Sequence, residues 1–575
     1  MSKVVVGIDF GTSGIGYAYS FSGDNPNSII LSDFHGQSAD NKVPSEIILD
    51  NYFEDVLAFG NECRGYIRTH DKTEYEYFKN IKMNLYHKIY TIKSTNGKEA
   101  NIELIISKIL KKISDNAISQ IERSSFHISK ENIKWVVTIP AIWEEKSKQI
   151  MIKASINAGL IDINSDKSLF LALEPEAAGI YYHKSSYYYK FLKKNISYIR
   201  EENPYIICDI GAGTVDICTH KNIKKGETSE LIEEYPPIGG DYGGQKINEE
   251  FIKRLIIEIF GEDKVKQLQN NPADEDWDKF EKEIEELKKS CYDNDSKDLI
   301  LDCSLFEDED DEKSLEDYIY EYNEKNLKYK YKIQKKKKWK LQFSSQIFLD
   351  IVKELSNQIF SKIEEIYNNV HTGYIILTGA GSKNNVILNY FYEFAKEKNM
   401  KIEITTPPQP EISIMKGAVL FGFQNNVIRK RKAKYSLGIK MYDDWEDRFE
   451  GKGKKVFAKI EGGEKCSNLF SKFITRNQYI EFDEVISRSY RALNPNPEII
   501  FYKTLRENCT FVDERDENGK LIIEEFGKVV FNINEDFDVN KRQVTIKMKL
   551  GGTYIDVSAK YEKTGKNLDI VKFFN

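Results

Sequence analysis

This chain of 575 residues has few cysteines, few histidines and no long apolar run. Its seven cysteines show no CxxC spacing, and their odd number argues against a complete disulfide framework. Its seven histidines show no metal-ligand spacing, so no zinc site is predicted. No run approaches the roughly 18 apolar residues of a membrane span, and the N-terminus passes directly into a strand pattern without a secretory signal. We therefore expect a cytoplasmic protein that does not enter a membrane, with the nucleus as the alternative.

The chain also lacks a strong charge of either sign. The 84 basic and 91 acidic side chains give a net charge of −7, and they are spread along the chain. Nucleic-acid binders usually concentrate basic residues on one face, so no nucleic-acid partner is predicted. The length exceeds what one hydrophobic core usually serves, which indicates two or more domains.

Two short segments each place an aspartate before glycine and threonine, about 200 positions apart. They are Asp9–Gly14 and Asp209–Asp216, and they follow the apolar runs Val4–Ile8 and Tyr205–Cys208. Glycines let backbone amides approach phosphate oxygens, and hydroxyl groups add further donors. Aspartates cannot bind phosphate themselves and need a cation between. Magnesium-bound ATP satisfies all of these requirements together.

Neither segment matches the P-loop or the Rossmann glycine pattern. Either one alone reads equally well as a hairpin turn, because aspartate before glycine is a common turn signal. The pair is more specific than either member. Ile15, Tyr17 and Tyr19 alternate after the first segment, and Val215 and Ile217 after the second, which predicts two strand–turn–strand units.

Further motifs make the chain resemble the superfamily of sugar kinases, actin and the 70-kDa heat-shock protein (Hsp70) chaperones. These motifs are Val136–Ala141, Ile150–Leu160, Glu174–Ile180, Glu285–Lys289 and Ile375–Ser382. The first two are similar to a chaperone strand and helix, the third to the segment that joins the two halves of the ATPase. The last two are similar to the helix over the adenine and to the adenosine loop. With the two loops, they occur in the order that the family shows.

Other segments are closer to one branch of that family, the divergent heat shock 70 kDa protein 12 type. Near the N-terminus they are Phe59–Glu62 and Phe78–Met83. In the tail they are Lys434–Ile439, Leu469–Ile474 and Ser487–Tyr490. The resemblance therefore covers nearly the whole chain.

The resemblance implies an α/β fold, with a two-lobed actin-like (ribonuclease H-like) ATPase domain followed by a smaller C-terminal antiparallel β domain. The expected boundaries are 1–200 for lobe I, 201–428 for lobe II, 429–434 for a basic linker and 435–575 for the β-rich domain. Helical spacing predicts helices over Leu104–Ile121 and Phe251–Phe260, and alternation predicts strands at Val544–Leu550 and Thr553–Val557.

Two charged segments interrupt this pattern. The stretch from about 302 to 340 contains six acids at Glu307–Glu312 and four lysines at Lys335–Lys338. Such blocks are usually solvated, and we interpret the stretch as an insertion in the part of lobe II that covers the adenine, with a partner-binding arm as the alternative. The basic run Arg429–Lys434 is interpreted as a solvated linker, with a nuclear localisation signal as the alternative.

The resemblance also implies roles for individual residues. Asp9 and Asp209 would hold Mg²⁺, mainly through water, and Glu174 and Asp216 would orient or deprotonate the attacking water. The phosphates would be bound by Gly11, Thr12, Ser13, Gly211, Gly213 and Thr214, together with the glycine pair Gly243 and Gly244. The adenosine would contact Glu285, Lys288, Gly379, Gly381 and Ser382. A surface ion pair is the alternative interpretation of Glu285 and Lys288.

One position departs from the family pattern. The lysine that touches the terminal phosphate aligns with Arg64, which keeps the charge but is less compact than an ammonium and cannot act as a base. Lys82 either supplies the missing ammonium or is a surface charge. We therefore expect slow turnover.

The leading functional hypothesis is a chaperone-like ATPase that binds ATP or ADP with Mg²⁺ and whose nucleotide state changes what client proteins its β domain binds. A nucleotide-regulated scaffold with little hydrolysis is the second hypothesis. A small-molecule kinase and an actin-like filament are lesser alternatives. The linker is cationic where the family's is apolar, and no helical lid follows the last strand pattern, so the coupling between the domains and the client class stay open, as does the oligomeric state.

Overall fold

The computed structural model describes residues 4–21, 25–34, 41–124, 128–161, 168–191, 202–225, 228–269, 275–291, 298–307, 313–326, 328–335, 337–407, 409–457, 463–492, 497–531, 533, 542–565, 567–568 and 570–574. The fold is mixed α/β, as predicted. The chain divides into two compact units. The first comprises Met1–Ile142, Met151–Cys218 and Ile238–Gln424, and the second comprises Trp143–Ile150, Thr219–Pro237 and Asn425–Asn575.

The N-terminal strands of the first unit form a mixed sheet. Val4–Phe10 pairs in parallel with Ile133–Ile139 and antiparallel with Gly14–Ser20. The order across the sheet is Leu169–Leu173, Ile133–Ile139, Val4–Phe10, Gly14–Ser20 and Ile30–Leu31, with Val43–Pro44 also paired to Gly14–Ser20. Every residue of Val4–Phe10 is buried, which explains why that run is apolar without alternation.

A second parallel set of strands carries the other loop. Pro204–Ile210 pairs in parallel with Tyr374–Thr378, which pairs in parallel with Glu403–Thr405. Val215–Lys225 starts beside Pro204–Ile210 and continues into the second unit. Both predicted strand–turn–strand units are therefore confirmed. The strand Thr228–Gly240 also runs through both units.

Smaller sheets and helices complete the first unit. The small sheets consist of Ile47–Asp50, Val56–Phe59 and Tyr75–Phe78, of Thr91–Lys93 and Glu99–Asn101, and of Asp298–Asp302, Lys332–Lys335 and Trp339–Ser344. The helices are Glu62–Thr69, Ile81–Tyr86, Ile102–Ser124, Glu174–Phe191, Gly244–Phe251, Glu258–Phe260, Glu262–Gln269, Glu275–Ser290, Leu315–Lys325, Gln346–Val370, Asn385–Glu397 and Ser413–Phe423, with a π-helical stretch at Ile252–Ile257. A further helix, Glu145–Asn157, starts in the second unit and ends in the first. Both predicted helices, Leu104–Ile121 and Phe251–Phe260, are confirmed.

The charged insertion contains more regular structure than its composition indicates. Leu315–Lys325 forms a helix that begins with a capping box between Ser314 and Asp317. Leu315, Ile319 and Tyr322 of this helix are buried, and Trp339 starts a strand paired on both edges. The interpretation of the whole stretch as solvated is wrong for these segments, because scattered apolar residues give them a core. Most of the acidic run, residues 308–312, lies outside the described residues.

The second unit consists mainly of antiparallel strands. One sheet has the order Lys455–Phe457, Glu464–Ile474, Ser436–Asp444, Glu498–Thr504, Glu524–Phe531 and Ile570–Phe574, and the other Val485–Arg491, Gln543–Lys549, Asp556–Tyr561 and Asn567–Leu568. Leu437, Phe501, Val529 and Ile546 are among the buried side chains of their common core. The strand predicted at Thr553–Val557 instead begins at Asp556, after the turn at Gly551, whose φ of 77° favours glycine.

The basic segment after residue 428 is a strand. Ile428–Lys432 pairs in parallel with Thr228–Gly240 and antiparallel with Tyr479–Glu481. Glu233 accepts from the Lys432 amide at 2.9 Å and lies 3.4 Å from the Arg431 guanidinium, and Lys430 pairs with Glu481 at 2.7 Å. The interpretation of this segment as a solvated linker is therefore wrong, because carboxylates on both neighbouring strands compensate its charge.

Throughout the ranges given above, no helix is both long enough and apolar enough to cross a membrane.

Candidate functional site

The first loop is a tight connection between two paired strands. Asp9 lies opposite Gly16 and Phe10 opposite Ile15, so only Gly11 to Ser13 separate the strands. A Cβ at Gly11 would lie 2.3 Å from the Gly14 carbonyl oxygen, which no larger residue could accommodate. The strand thus delivers the Asp9 carboxylate, which is 2% exposed, at the start of a closed glycine turn.

The second loop has the same construction. Asp209 ends its strand, and the Gly211 amide donates to the Thr214 carbonyl at 3.0 Å to close the turn. A Cβ at Gly213 would lie 2.6 Å from the Thr12 Oγ1 atom and 2.3 Å from the Met83 sulfur. The glycine at 213 is therefore what allows the second loop to approach the first.

Both loops line one cavity of about 720 Å³ inside the first unit. Of the predicted site residues, the cavity is lined by Asp9, Gly11, Thr12, Ser13, Glu174, Asp209, Gly211, Gly213, Thr214 and Gly379. Lys82 and Lys42 also line it. Segments far apart in sequence are thus brought to one space, which we call the carboxylate cavity.

Four carboxylates are buried at or beside this cavity. Asp9, Glu174, Asp209 and Asp216 are each at most 4% exposed. Burial raises the pKa of Asp209 well above its usual value, and repulsion from Glu174, Asp216 and Asp9 raises it further. Burial also raises the pKa of Asp216, against hydrogen bonds from the Thr214 hydroxyl and the Ile142 amide. Asp216 is not itself a lining residue.

Lys82 lies among these carboxylates. It is 3% exposed and forms an ion pair with Glu174. Burial acts to lower the pKa of Lys82, but attraction to Glu174 and Asp9 outweighs it, so the net direction is upward. Burial and the neighbouring Asp9 and Asp216 likewise raise the pKa of Glu174 against the effect of Lys82. The alternative that Lys82 is a surface charge is therefore wrong.

The charges around Asp209 remain incompletely compensated. Within the described part of the chain, Asp209 Oδ1 and Asp216 Oδ2 are buried without a hydrogen-bond partner. Such atoms usually interact with a cation or with water. Among the same residues, however, no group of three or more acidic, histidine or cysteine side chains is arranged as a ready metal cage. Magnesium rarely uses such cages, since it keeps several of its waters, so the cavity-lining carboxylates Asp9 and Asp209 fit a hydrated ion.

The segment that begins at Gly379 packs directly against Asp209. Gly379 has a φ of 78°, and a Cβ there would lie 2.4 Å from Asp209 Oδ1. Ser382 is buried and donates its hydroxyl to the Gly379 carbonyl at 2.8 Å, so it stabilises the turn Ala380–Lys383. Ser382 lines neither of the cavities described here, whereas Gly379 lines the first and Gly381 the second.

A second cavity of about 650 Å³ adjoins the first, and both share Thr12, Ser13, Gly211, Ala212 and Ala380. We call it the adjoining cavity. The predicted residues Gly243, Gly244, Glu285, Lys288 and Gly381 line it.

Gly243 and Gly244 line the adjoining cavity and are hydrogen-bonded to the second loop. The Gly243 and Gly244 amides each donate at 3.1 Å, to the carbonyls of Gly213 and Gly211 respectively. A Cβ at Gly243 would lie 2.4 Å from the Ala212 carbonyl oxygen. These glycines therefore bind the loop itself, and their amides are used for that contact.

Glu285 and Lys288 form more than a surface pair. They lie 2.5 Å apart, and the Lys288 ammonium also donates to the Gly244 carbonyl at 2.9 Å. Asn248 donates its amide group to Glu285 at 2.8 Å. Because a carboxylate only accepts, this bond fixes the amide orientation. The Asn248 Oδ1 atom is then buried without a partner among the described residues, and Asn248 itself lines the adjoining cavity.

Arg64 is not found where the predicted phosphate contact requires it. It lines the adjoining cavity with Lys79, Asp278 and Lys282, and it is absent from the lining of the carboxylate cavity. Its position on the helix Glu62–Thr69 places it near Lys282, whose pKa is lowered by burial and by the Arg64 charge. The structure thus brings Lys82, and not Arg64, to the buried carboxylates.

Sequence reasoning missed Lys42 and Asn248. Lys42 lies 2.6 Å from Asp9 Oδ2 although the two residues are 33 positions apart. No local pattern marks either residue, since each acquires its position only through tertiary pairing.

The chain has relatives among curated proteins named as 70-kDa heat-shock proteins. No family model matches the chain. Among curated proteins it is similar to heat shock 70 kDa protein 12A of Homo sapiens and of Mus musculus, with 26% identity in each case, covering 89% of this chain and 83% of the relative. It is also similar to heat shock 70 kDa protein 12B of Homo sapiens, with 23% identity, covering 98% of this chain and 90% of the relative. The predicted resemblance to the divergent heat shock 70 kDa protein 12 branch of the Hsp70 family is thereby confirmed.

Proposed function

We propose that this chain is an Hsp70-like protein that binds ATP and ADP with Mg²⁺, with the polyphosphate in the carboxylate cavity and the nucleoside in the adjoining cavity. The observation that carries the proposal is the approach of the two loops at Thr12 and Gly213, on one cavity with four buried carboxylates. The predicted lobes, 1–200 and 201–428, would then each contribute one loop.

Each group has a role suited to its chemistry. Thr12, Ser13 and Thr214 supply hydroxyl donors, and the loop glycines leave room for phosphate oxygens near the backbone. Asp9 and Asp209 would hold the hydrated Mg²⁺, which neutralises phosphate charge. Glu285, Lys288 and Asn248, which line the adjoining cavity, would contact the nucleoside.

We assign the terminal phosphate to Lys82 in place of Arg64. Its ammonium is buried in the carboxylate cavity, whereas Arg64 lines the adjoining one. Slow hydrolysis of ATP follows, because Glu174 is already paired with Lys82 and is less available to accept a proton from water. Asp216 stays the second candidate to orient that water, although it is not itself a lining residue of the carboxylate cavity.

Calorimetric titration of ATP and ADP with Mg²⁺ tests the proposal, on the wild-type protein and on Asp209→Asn. Micromolar or tighter binding to the wild type, weakened at least tenfold in the variant, is the expected result. If the wild-type protein binds neither nucleotide, the proposal is refuted.

The Lys82–Glu174 pair also favours a second candidate, a nucleotide-regulated scaffold with little or no hydrolysis. Single-turnover cleavage of labelled ATP separates the two, since the scaffold would bind without cleaving.

Coupling to a client is tested by steady-state phosphate release with and without unfolded peptide. A chaperone-like ATPase should change its rate with peptide, and a scaffold should not.

A further inference from the structure

Lys42 forms the closest polar contact described for Asp9. Its ammonium lies 2.6 Å from Asp9 Oδ2, and the two side chains are 25% and 2% exposed. The other Asp9 oxygen accepts a long hydrogen bond from the Thr138 hydroxyl, at 3.4 Å. An ion pair with one buried partner is screened far less than a surface pair. The Lys42 charge is therefore fixed at the carboxylate that the proposed function assigns to the metal.

Two glycines of the strand Gly14–Ser20 leave room for the Lys42 side chain. Gly14 and Gly16 lie in the strand beneath it, and a Cβ at Gly16 would lie 2.9 Å from Lys42 Cγ and 2.5 Å from the Asn41 carbonyl oxygen. The next residues, Val43 and Pro44, pair with Ile15 and Gly14. Two glycines and a short strand pair thus hold the aliphatic stem along the first loop, so the contact is built into the sheet.

The two loops differ in how completely their buried carboxylates are paired with cations. Lys42 is paired with Asp9 and Lys82 with Glu174. Asp209 and Asp216 each keep a buried oxygen without a partner in the described structure. The first loop therefore carries its own cation, and the uncompensated charge belongs to the second loop.

We propose that Lys42 is a built-in counter-ion of Asp9, which lowers the dependence of nucleotide binding on a divalent cation. This inference rests on the proposed function. A polyphosphate entering the cavity without metal would otherwise meet the full charge of Asp9. With Lys42 in place, that repulsion is removed, and the ammonium lies at the cavity lining as a donor to phosphate oxygens. Mg²⁺ then adds affinity mainly through the second loop.

The experiment measures ATP and ADP affinity by calorimetry in excess Mg²⁺ and in excess EDTA. The proteins are the wild type, Lys42→Met, Lys42→Arg and the control Lys398→Met. Lys398 is a half-exposed lysine paired with Glu364 at 2.9 Å, and it lines neither cavity. Thermal unfolding of each variant verifies that it is folded.

In the wild type and in Lys398→Met, removing the metal should weaken binding by less than about a hundredfold. In Lys42→Met the loss on removing metal should be at least about tenfold larger, as expected for one charged hydrogen bond. Lys42→Arg keeps the charge and should restore most of the metal-free affinity.

A folded Lys42→Met protein with the wild-type ratio of affinities would overturn the inference and leave the proposed function standing. A wild-type protein that binds nucleotide only with Mg²⁺ would also overturn the inference and leave the proposed function standing. Absence of nucleotide binding under both conditions would overturn both.

Discussion

Thr12 and Gly213 meet across the carboxylate cavity, so closely that a Cβ at position 213 would lie 2.6 Å from the Thr12 hydroxyl oxygen. The two residues belong to different loops, which come from strands about 200 positions apart. Their approach creates the space in which the loop donors and the buried carboxylates converge. The nucleotide proposal depends on this contact.

Replacement of Gly213 by alanine should separate the loops. The added methyl overlaps Thr12 and Met83, and overpacking of this kind costs about 1–3 kcal/mol of unfolding free energy. We expect a lower melting temperature and at least tenfold weaker ATP binding. Gly65→Ala is the control, because a Cβ there meets no atom within 4 Å and alanine favours the helix by about 1 kcal/mol. Equal ATP affinities in both variants would contradict the loop contact.

Replacement of Asp209 by asparagine should stabilise the protein without ligand while removing its response to nucleotide. The carboxylate is buried, has an unpartnered oxygen and is repelled by Glu174, Asp216 and Asp9. A neutral amide of the same shape relieves that repulsion. Thermal unfolding at neutral pH should show a melting temperature above that of the wild type, and added Mg²⁺ and ATP should no longer raise it. A melting temperature below that of the wild type would show that the charge of Asp209 is already compensated in the protein without ligand.

Removal of the Lys82 charge alone should be costly. Lys82→Met leaves Glu174 buried without its cation, which typically costs about 3–5 kcal/mol. The double variant Lys82→Met with Glu174→Gln should recover most of that stability, as chemical denaturation can measure. If Lys82 contacts the terminal phosphate, the double variant should still fold but show no ATP cleavage in a single turnover.

Arg64 should matter for affinity more than for cleavage. Since it lines the adjoining cavity, Arg64→Met should weaken ATP binding by less than about tenfold and leave the cleavage rate of bound ATP unchanged. Single-turnover measurements at saturating ATP check this. Loss of cleavage with binding intact would return the phosphate role to Arg64.

His183 should make the unfolding free energy depend on pH. Burial, with repulsion from Lys184, lowers the pKa of His183 to about 4. The unfolded chain takes up the proton near its usual pKa of about 6.5, so His183 stabilises the fold fully above that pH. This contribution, up to about 3 kcal/mol, is lost as the pH falls from about 6.5 towards 4.

His183→Asn should therefore flatten the dependence of the melting temperature on pH in that window. The exposed His70 supplies the control, and His70→Asn should keep the wild-type slope. Equal slopes in all three proteins would show that folding does not lower the pKa of His183.

The loops were predictable because their signals are local. An apolar run followed by aspartate and glycine specifies a buried strand and a tight turn within about ten residues, and both units were found as expected. The helix Ile102–Ser124 followed from its apolar periodicity in the same way. Glu285 and Lys288 were recognisable only through family resemblance, because an acid and a base three positions apart are common on helix surfaces.

The choice of cations was not predictable. The family resemblance pointed to Arg64 as the phosphate contact. In the structure, Arg64 lines the adjoining cavity. Lys82 is buried with Ile81 and Leu85 on the helix Ile81–Tyr86, and this burial brings it to the carboxylates. Likewise, the composition of residues 429–434 indicated solvent exposure, whereas carboxylates on strands remote in sequence pair with those charges.

The sequence by itself determined the two strand–turn–strand units and the carboxylates they carry, since an apolar run followed by aspartate and glycine specifies a buried strand and a tight turn locally. Only the tertiary structure decided that Thr12 meets Gly213, that Lys42 pairs with Asp9 and that Lys82 pairs with Glu174. A charge buried in the interior requires a partner within a few ångströms, and the folded chain, not the order of residues, sets which partner is that near.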